Sequence, residues 1–321
     1  MKVLVVCSGN PPEEGIPLNF EVHKPFINEQ INSLRRMGIE IDTFLIKGKG
    51  LLNYLKNLSP LRDKIKENNY NLIHAHAGFA GLLSNLQRNV PVITTFHGCD
   101  LQRKKYRWLS YTAIFLSKYV LYVSKRMMKI GTKIRKSQYA VVPCGVDLNL
   151  FKIIDKKKAR EILGFDQKKK YLLFSSFFRN SVKNYPLAKE ALIGKSHIEL
   201  IELKGYTRKR VNLLINACDL LLMTSFREGS PQVIKEAMAC GCPIVSTDVG
   251  DVKEIIGDTE GCYITSFDPY DVSEKIQLAL DFNKRTRGRE KIADLRVEII
   301  ASKLKRIYCQ ILSEKGEING F

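Results

Sequence analysis

The sequence lacks the short motifs that identify many nucleotide and metal enzymes. It contains no G-x-G-x-x-G after an apolar run, no Walker A sequence, no H-E-x-x-H and no nucleophile elbow. These absences argue against a dinucleotide fingerprint, a P-loop, a zinc-protease helix and an α/β-hydrolase site. No two aspartates are separated by a single residue, so the acidic pair that often holds a divalent cation is also missing. We therefore expect no metal, and we expect Lys and Arg to supply any positive charge that a site needs.

Long apolar runs and paired cysteines are missing too. No stretch approaches the roughly 18 consecutive apolar residues of a transmembrane helix. Only five apolar residues follow Lys2, too few for the core of a signal peptide. The eight cysteines form no C-x-x-C pair and no zinc-like spacing with histidine, which is typical of small buried side chains in a reducing compartment. We expect a cytoplasmic protein without a spanning segment.

The composition allows two packed domains. A chain of 321 residues with 45% hydrophobic residues favours two cores of about 150 residues each. The formal net charge of +19 concerns partners and solubility rather than the fold. Nucleic acid, anionic lipid and phosphorylated ligands all fit that charge.

Short apolar runs alternate with helical patterns along the whole chain, which predicts parallel βα units and an α/β fold. We predict a first Rossmann-like domain over residues 1–150, a lysine-rich linker over 151–170 and a second Rossmann-like domain over 171–321. The last helix, Val297–Leu312, is a candidate to pack back on the first domain. The predicted strands are Val3–Cys7, Ile39–Ile46, Leu72–Ala75, Val92–Phe96, Tyr119–Val123, Tyr139–Val142, Tyr171–Ser175, Ile198–Leu203, Asp219–Thr224, Pro243–Ser246 and Cys262–Thr265. Doubly wound domains bind ligands outside the carboxyl ends of their strands, so we expect the two domains to face each other across a cleft.

The segment "EGSPQVIKEAMACGCPIVSTDVG" combines a loop, a helix and a strand. Ser230 suits an N-cap and Pro231 the first helical position, which would direct backbone N–H groups at a phosphate or at sugar hydroxyls. Glu236 falls at the edge of the packing stripe and Lys235 opposite it. A carboxylate at that edge can accept two hydrogen bonds from a vicinal diol. The alternative is that Glu228 and Glu236 are ordinary solvated glutamates.

Two cations follow the first strand of the second half, in "FSSFFRNSVKN". Arg179 and Lys183 together would neutralise a diphosphate, Arg as a planar fork and Lys as a mobile point charge. The alternative is two solvated loop cations in a chain that has 52 Lys and Arg residues.

Three histidines lie at or near predicted strand ends. His97, in "VITTFHGCD", is suited to hydrogen-bond a ligand hydroxyl, with a satisfied structural histidine as the alternative. His74 and His76 share one face of a strand but have no convincing third ligand, which favours a structural role over a metal site.

Taken together these features resemble the family-4 glycosyltransferases, metal-independent enzymes of the two-domain GT-B architecture that retain anomeric configuration. The resemblance rests on the segment with two glutamates separated by seven residues, on "VPCGVDLNLF", on "TFHG", and on Arg179 with Lys183 and Asn184. It spans nearly the whole chain. It departs from the family at Cys144, where asparagine is usual and where we expect little consequence, and in the loop "SGNPPEEGIPLNF".

The resemblance implies roles for particular residues. Glu236 would bind the ribose hydroxyls of a nucleotide sugar, linked to UDP or GDP, and Arg179 and Lys183 would bind its diphosphate. His97 and Glu228 would contact the donor sugar near the reacting carbon, which makes His97, Glu228, Arg179 and Lys183 the catalytic candidates. The full set of donor-binding candidates is Gly15, Arg179, Lys183, Asn184, Tyr206, Glu228, Gly229, Ser230, Pro231, Gln232 and Glu236, with Tyr206 near the base and Gly15 in the divergent first loop.

Residues 101–136 carry eleven Lys or Arg residues and no Asp or Glu. Aromatic and aliphatic residues lie between them, which favours docking on an anionic membrane surface, where a lipid-linked or other saccharide acceptor would enter. The alternative is a helix with a solvated basic face and an apolar core face.

Two other functions remain open at this stage. A nucleic-acid-binding protein would explain the charge, but it would leave the two-glutamate loop without a role, and no RNA or DNA module is recognisable. We therefore expect no nucleic acid partner. A nucleotide-sugar epimerase or hydrolase of the same architecture would require further acid/base carboxylates, which we do not identify.

Overall fold

The computed structural model describes residues 1–10, 18–48, 50–104, 107–134 and 138–314. The chain divides into two compact units, of which unit 1 comprises Met1–Gly145 with Val297–Phe321 and unit 2 comprises Val146–Arg296. In each unit the described strands form one sheet, and every strand pair in it is parallel. The predicted α/β class with two doubly wound sheets is confirmed.

Unit 1 contains a six-stranded sheet in the order β2-β1-β3-β4-β5-β6. Its strands are β1 (Lys2–Ser8), β2 (Glu40–Ile46), β3 (Leu72–His76), β4 (Val92–Phe96), β5 (Tyr119–Tyr122) and β6 (Tyr139–Val141). Its helices up to residue 145 are α1 (Phe20–His23), α2 (Pro25–Arg36), α3 (Leu51–Leu55), α4 (Leu58–Glu67), α5 (Gly78–Asn85), α6 (Cys99–Gln102), α7 (Arg107–Leu116) and α8 (Lys125–Gly131). The strand order reverses direction between β1 and β3, which is where open α/β sheets bind ligands.

Unit 2 contains a five-stranded sheet in the order β11-β10-β9-β7-β8. Its strands are β7 (Lys170–Phe174), β8 (Ile198–Glu202), β9 (Leu220–Met223), β10 (Ile244–Thr247) and β11 (Cys262–Thr265). Its helices are α9 (Lys156–Leu163), α10 (Tyr185–Glu190), α11 (Arg208–Ala217), α12 (Gln232–Ala239), α13 (Val252–Ile256), α14 (Pro269–Phe282) and α15 (Gly288–Lys291), with 3-10 turns at Ser181–Lys183 and Ala293–Leu295. Here the strand order reverses between β7 and β9.

The linker predicted over residues 151–170 is wrong, because this segment is an integral part of unit 2. Helix α9 places Arg160 in the interior, where 4% of it is exposed, and its guanidinium donates to Asp219 Oδ2 at 2.8 Å and to the Ala217 carbonyl at 2.9 Å. Asp219 also accepts from the Tyr171 backbone N–H at 2.8 Å. Arg160 thus anchors residues 151–170 to unit 2, although many lysines of this segment are exposed. The boundary between the two units lies at Gly145.

The last helix of the chain, α16 (Val297–Ser313), belongs to unit 1. Tyr308 is fully buried, and its hydroxyl lies 2.5 Å from Nδ1 of His74 on β3. The Ser33 hydroxyl of α2 donates to the Val297 carbonyl at 3.3 Å. The second unit therefore ends at Arg296 rather than at the predicted residue 321. No described helix has the length and apolar character required to cross a bilayer.

Replacing Arg160 tests whether α9 is part of the unit 2 core. We expect Arg160→Ala to lower the free energy of unfolding by about 3 kcal/mol or more, because it leaves buried Asp219 with incomplete compensation. Urea unfolding followed by circular dichroism measures the change. Lys169→Ala is the control, because the Lys169–Glu199 pair is exposed and should contribute little. Equal stability of Arg160→Ala and the wild type would contradict this account of the segment.

Candidate functional site

The predicted donor-binding residues of unit 2 follow β7 and β9, the two strands that flank the reversal of strand order. Arg179 and Lys183 lie between β7 and α10, and Glu228 lies between β9 and α12. Because all strands are parallel, both loops leave from the end of the sheet where the carboxyl ends of the strands lie. The structure therefore brings these loops together at the position where the fold class binds ligands.

Hydrogen bonds from Thr224 and Phe226 hold the two loops against each other. The Thr224 hydroxyl lies 2.9 Å from the carbonyl oxygens of both Lys183 and Asn184. The Phe226 backbone N–H donates to the Val182 carbonyl at 2.9 Å. Asn184 adopts the left-handed conformation, with φ of 53°, which asparagine tolerates better than most residues. These contacts fix the backbone that carries Lys183 beside the backbone that carries Glu228.

The loop after β10 closes this side of the site through two glycines. Gly250 has φ of +62°, and a Cβ at that position would lie 2.7 Å from the Gly229 carbonyl oxygen. The Thr247 hydroxyl donates to the Ser225 carbonyl at 2.7 Å. The Glu228 loop therefore keeps its course only if residue 250 has no side chain.

Lys183 and Glu228 form an ion pair, with Nζ 2.7 Å from Oε1 and 17% of each side chain exposed. Neither residue is thus an ordinary solvated loop residue. An ammonium group has three donors, so Lys183 can keep this contact and still donate to a phosphate oxygen. The pair joins the residue predicted to bind the diphosphate to the residue predicted to contact the donor sugar.

Glu236 is paired with a residue that the sequence reasoning missed. Arg208, at the start of α11, donates to Glu236 Oε1 at 2.5 Å, and its guanidinium lies 4.7 Å from the centre of the Phe151 ring. Glu236 is only 2% exposed. Nothing in the local sequence separates Arg208 from the other cations, and only the arrangement of β8, α11 and α12 brings it to Glu236.

Helix α12 differs in two respects from the prediction. Pro231 occupies the N-cap position and the helix begins at Gln232, so Ser230 is not the N-cap. Lys235, predicted opposite the packing face, is fully buried because α12 is covered on all sides. Burial raises the pKa of the nearby Asp251 carboxyl, and the positive charge of Lys235 partly offsets that rise.

The remaining predicted donor residues differ in their exposure and in their contacts. Arg179 is exposed in a turn after β7. Tyr206 is half-buried just before α11, with the Arg210 guanidinium 5.2 Å from its ring centre. Gly15 lies outside the described residues, so nothing follows for that prediction.

His97 lies in unit 1, directly after β4. The Asp100 carboxylate accepts the backbone N–H groups of His97 at 3.2 Å, Gly98 at 2.9 Å and Leu101 at 3.1 Å. Gly98 has φ of 123°, a conformation that favours glycine. Burial raises the pKa of Asp100, although these N–H groups oppose the rise. The "HGCD" sequence thus forms a tight turn that fixes the backbone of His97.

Both ring nitrogens of His97 have neighbours in unit 1. Nε2 lies 3.0 Å from Nδ1 of His76, and Nδ1 lies 3.9 Å from Sγ of Cys144. The Phe26 ring packs on the imidazole with centroids 4.9 Å apart. Cys144, the departure from the family pattern that we expected to matter little, therefore contacts the predicted sugar-binding histidine.

His74 is a structural histidine, as predicted. It is fully buried, and its ring nitrogens contact the Tyr308 hydroxyl at 2.5 Å and the Thr95 hydroxyl at 2.7 Å. Burial lowers the pKa of His74 to about 3. Among the residues that the structure describes, no group of three His, Cys, Asp or Glu side chains is placed to hold a metal ion.

Two family profiles match the chain, one in each half. The profile described as Glycosyltransferase Family 4 matches residues 2–150, and the one described as Glycosyl transferases group 1 matches residues 182–281. The second match includes Lys183, Glu228 and Glu236. Both halves of the chain thus match glycosyltransferase families, which supports a family-4 glycosyltransferase. Its two parallel sheets are those of the GT-B architecture, as predicted.

Individual relatives are moderately similar. The chain is 27% identical over 217 residues to TuaC of Bacillus subtilis, which is named as a glycosyltransferase of teichuronic acid biosynthesis; the alignment covers 58% of this chain and 55% of TuaC. It is 24% identical over 250 residues to the UDP-Gal:alpha-D-GlcNAc-diphosphoundecaprenol alpha-1,3-galactosyltransferase of Escherichia coli, covering 64% of this chain and 65% of that enzyme. The matched segment thus spans less than two thirds of either relative.

Solved structures share the fold over nearly the whole chain. Anabaena HepE in complex with UDP superposes with a TM-score of 0.74 at 17% identity, covering 97% of this chain and 100% of HepE. At this identity the similarity concerns the fold alone.

A side chain at residue 250 tests the packing of the Glu228 loop. We expect Gly250→Ala to be destabilised by more than the roughly 1–2 kcal/mol of left-handed strain, because its Cβ also collides with the Gly229 carbonyl. Gly194→Ala is the matched control, since Gly194 has φ of +80° with nothing within 4 Å of the added Cβ. Urea unfolding compares the two variants. Equal losses of stability would mean that the two loops do not depend on this close approach.

Proposed function

We propose that the protein is a retaining glycosyltransferase that moves a sugar from a nucleotide-diphosphate sugar to a saccharide or lipid-linked saccharide acceptor. Cell-surface polysaccharide or glycolipid biosynthesis is the corresponding process. The observation that carries the proposal is the Lys183–Glu228 ion pair at the reversal of strand order in unit 2, next to the start of α12. A cation and a carboxylate held together there suit the junction between a diphosphate and its sugar.

The diphosphate would be bound by side chains rather than by a metal. Arg179 is exposed and follows the same strand as Lys183, so its guanidinium can turn to a phosphate without breaking a structural contact. Lys183 has three donors, of which Glu228 takes one. Two cations beside the leaving group stabilise the charge that develops on it, which is usually the largest contribution to catalysis.

Glu236 would bind the ribose. Its Oε1 accepts from Arg208, which leaves further lone pairs of the carboxylate for the two hydroxyls of a ribose. The carboxylate is 2% exposed, so a ribose would contact its edge only. Arg208 fixes the orientation of the Glu236 carboxylate. Tyr206, two residues before that arginine, would lie near the base.

The reaction would proceed on one face of the sugar. The bond from the anomeric carbon to the diphosphate oxygen breaks, and the acceptor oxygen forms its new bond on the same side. The acceptor's proton passes to the departing diphosphate. Glu228 and the backbone of residues 229–232 would contact the donor sugar near the reacting carbon, and His97 would hydrogen-bond one of its hydroxyls. No step in this scheme requires a protein nucleophile.

The comparisons support the choice of substrates. The name of the Escherichia coli relative specifies UDP-Gal, which makes a UDP-sugar the first donor to test. The same name specifies a diphosphoundecaprenol-linked acceptor, and that of TuaC a cell-surface polymer. A lipid-linked acceptor requires access to a membrane surface.

Exposed aromatic side chains of α7 support a docking surface within residues 101–136. Trp108 is 56% exposed and Phe115 61% exposed, and they lie seven residues apart on one face of α7. Leu109 and Ile114, on the other face, are buried. Helix α7 thus has the predicted apolar core face and an exposed aromatic face as well. The exposed cations of the described part of this region are Arg103, Lys104, Lys118, Lys125, Arg126, Lys129 and Lys133. We propose peripheral association with the inner face of the cell membrane.

Arg179→Ala tests the role of the exposed arginine. We expect the affinity for UDP-sugars to fall about 10- to 100-fold, the effect of losing hydrogen bonds to a charged group, while the melting temperature stays unchanged. Calorimetric titration with a panel of UDP- and GDP-sugars measures the affinity. Lys189→Ala, an exposed cation on α10, is the matched control. Affinity equal to the wild type would remove Arg179 from the site. In a turnover assay with acceptors present, hydrolysis of the donor without transfer would favour a hydrolase.

Vesicle sedimentation tests the membrane surface. We expect binding to vesicles with anionic lipid, weaker binding to neutral vesicles and a decline as salt rises. The double variant Trp108→Ser with Phe115→Ser should release the protein. Ile193→Ser is the control, because Ile193 is 77% exposed in unit 2. Equal binding to neutral and anionic vesicles would exclude electrostatic docking.

A further inference from the structure

The contact between His76 and His97 concerns the chemistry of the proposed sugar-binding residue. His76 lies at the end of β3 and is 3% exposed, and His97 follows the neighbouring strand β4 and is half-buried. Their rings lie edge to edge and nearly coplanar, with centroids 5.2 Å apart and planes 19° apart. On the other side His76 stacks on His74 at 4.4 Å. The ring of His76 is thus held between two neighbours.

The distance between the two imidazoles shows that they are joined by one N–H···N hydrogen bond. His76 Nδ1 and His97 Nε2 are 3.0 Å apart, which is a hydrogen-bond distance. One nitrogen of this pair must carry the proton and the other must present its lone pair, because a neutral imidazole has one donor and one acceptor nitrogen. Burial lowers the pKa of His76 well below its ordinary value, with smaller contributions from His74, His97 and Lys24. His76 is therefore neutral at neutral pH.

We propose that His76 is a positioning residue that fixes the ring orientation and the tautomer of His97. This inference rests on the proposed function in one respect only, which is that His97 contacts the donor sugar. If His76 donates, His97 carries its proton on Nδ1 and donates to a sugar hydroxyl. If His97 donates through Nε2, its Nδ1 accepts from that hydroxyl. In both cases Nδ1 of His97 is the nitrogen that would bind the sugar hydroxyl. It acts only as a donor in the first case and only as an acceptor in the second.

A sugar hydroxyl can replace the sulfur contact at Nδ1 of His97. Its sulfur neighbour, Cys144 Sγ at 3.9 Å, is a weak hydrogen-bonding group on a half-buried residue. A sugar hydroxyl would make a shorter and stronger bond at the same nitrogen. The backbone of His97 does not move in this exchange, because Asp100 holds the N–H groups of the turn. The protein thus fixes the backbone, the ring and the proton of His97 separately.

Two polar substitutions at residue 76 separate this role from general packing. In His76→Asn the amide lies near the former position of Nδ1 and can either donate to or accept from His97. In His76→Gln the amide lies near the former position of Nε2 and cannot replace that contact. Both variants keep a polar side chain of similar size on β3, so a loss seen only in His76→Gln is not a packing effect.

The first measurement needs no substrate. The chain has five histidines, so selective ¹⁵N-histidine labelling resolves the ring nitrogens of His97 by NMR. We expect a single neutral tautomer of His97 in the wild type and in His76→Asn, and a mixture in His76→Gln. An unchanged tautomer in His76→Gln, or a mixture already present in the wild type, would overturn the proposal even if the protein transferred no sugar at all.

The second measurement uses turnover with whichever UDP- or GDP-sugar binds. We expect kcat of His76→Gln to fall about 10-fold with little change in KM, and His76→Asn to stay within about 3-fold of the wild type. His74→Gln is the control for the core, because it removes the contact between Nδ1 and the Tyr308 hydroxyl and should lower stability without changing the tautomer of His97. Equal kcat values for His76→Asn and His76→Gln would overturn the proposal.

Discussion

The parallel arrangement of every described strand is the constraint on which the candidate site depends. When all strands of a sheet run the same way, each loop that follows a strand leaves from one edge. Residues far apart in sequence therefore meet there, such as Lys183 after β7 and Glu228 after β9, with Nζ 2.7 Å from Oε1. In unit 1 the same rule brings His76 and His97 together after β3 and β4. The sheet thus determines where these side chains lie, and the side chains themselves determine the chemistry of the site.

Two carboxylates at this end of the unit 2 sheet are paired with cations before any ligand binds. Lys183 is paired with Glu228, and Arg208 with Glu236, and all four side chains are largely buried. An unpaired charge at such positions would be costly, so each carboxylate that suits a ligand has a cation beside it. The pairs also fix the orientation of the carboxylates. A ligand therefore meets groups whose geometry is already set, which lowers the ordering cost of binding.

Much of the fold could be predicted from local patterns, because apolar runs and helix punctuation are local. The predicted strands Val92–Phe96 and Cys262–Thr265 coincide with β4 and β11. The linker prediction was wrong because it followed the density of lysines, whereas one buried arginine, Arg160, fixes that segment through Asp219. Arg208 was missed, and Lys235 was expected to lie outside the packed face although it is buried, for the same reason. A buried cation has no sequence signature, since its partner lies on another element.

The return of α16 to unit 1 has a consequence for how the chain folds during synthesis. Unit 2 is continuous from Val146 to Arg296, so all of its residues leave the ribosome before the last part of unit 1 does. Unit 1 cannot bury His74 against Tyr308 until the final helix has been made. The usual order, in which the N-terminal domain completes first, is thus reversed for this chain. Until that helix has been made, His74 on β3 lacks the hydrogen bond to the Tyr308 hydroxyl.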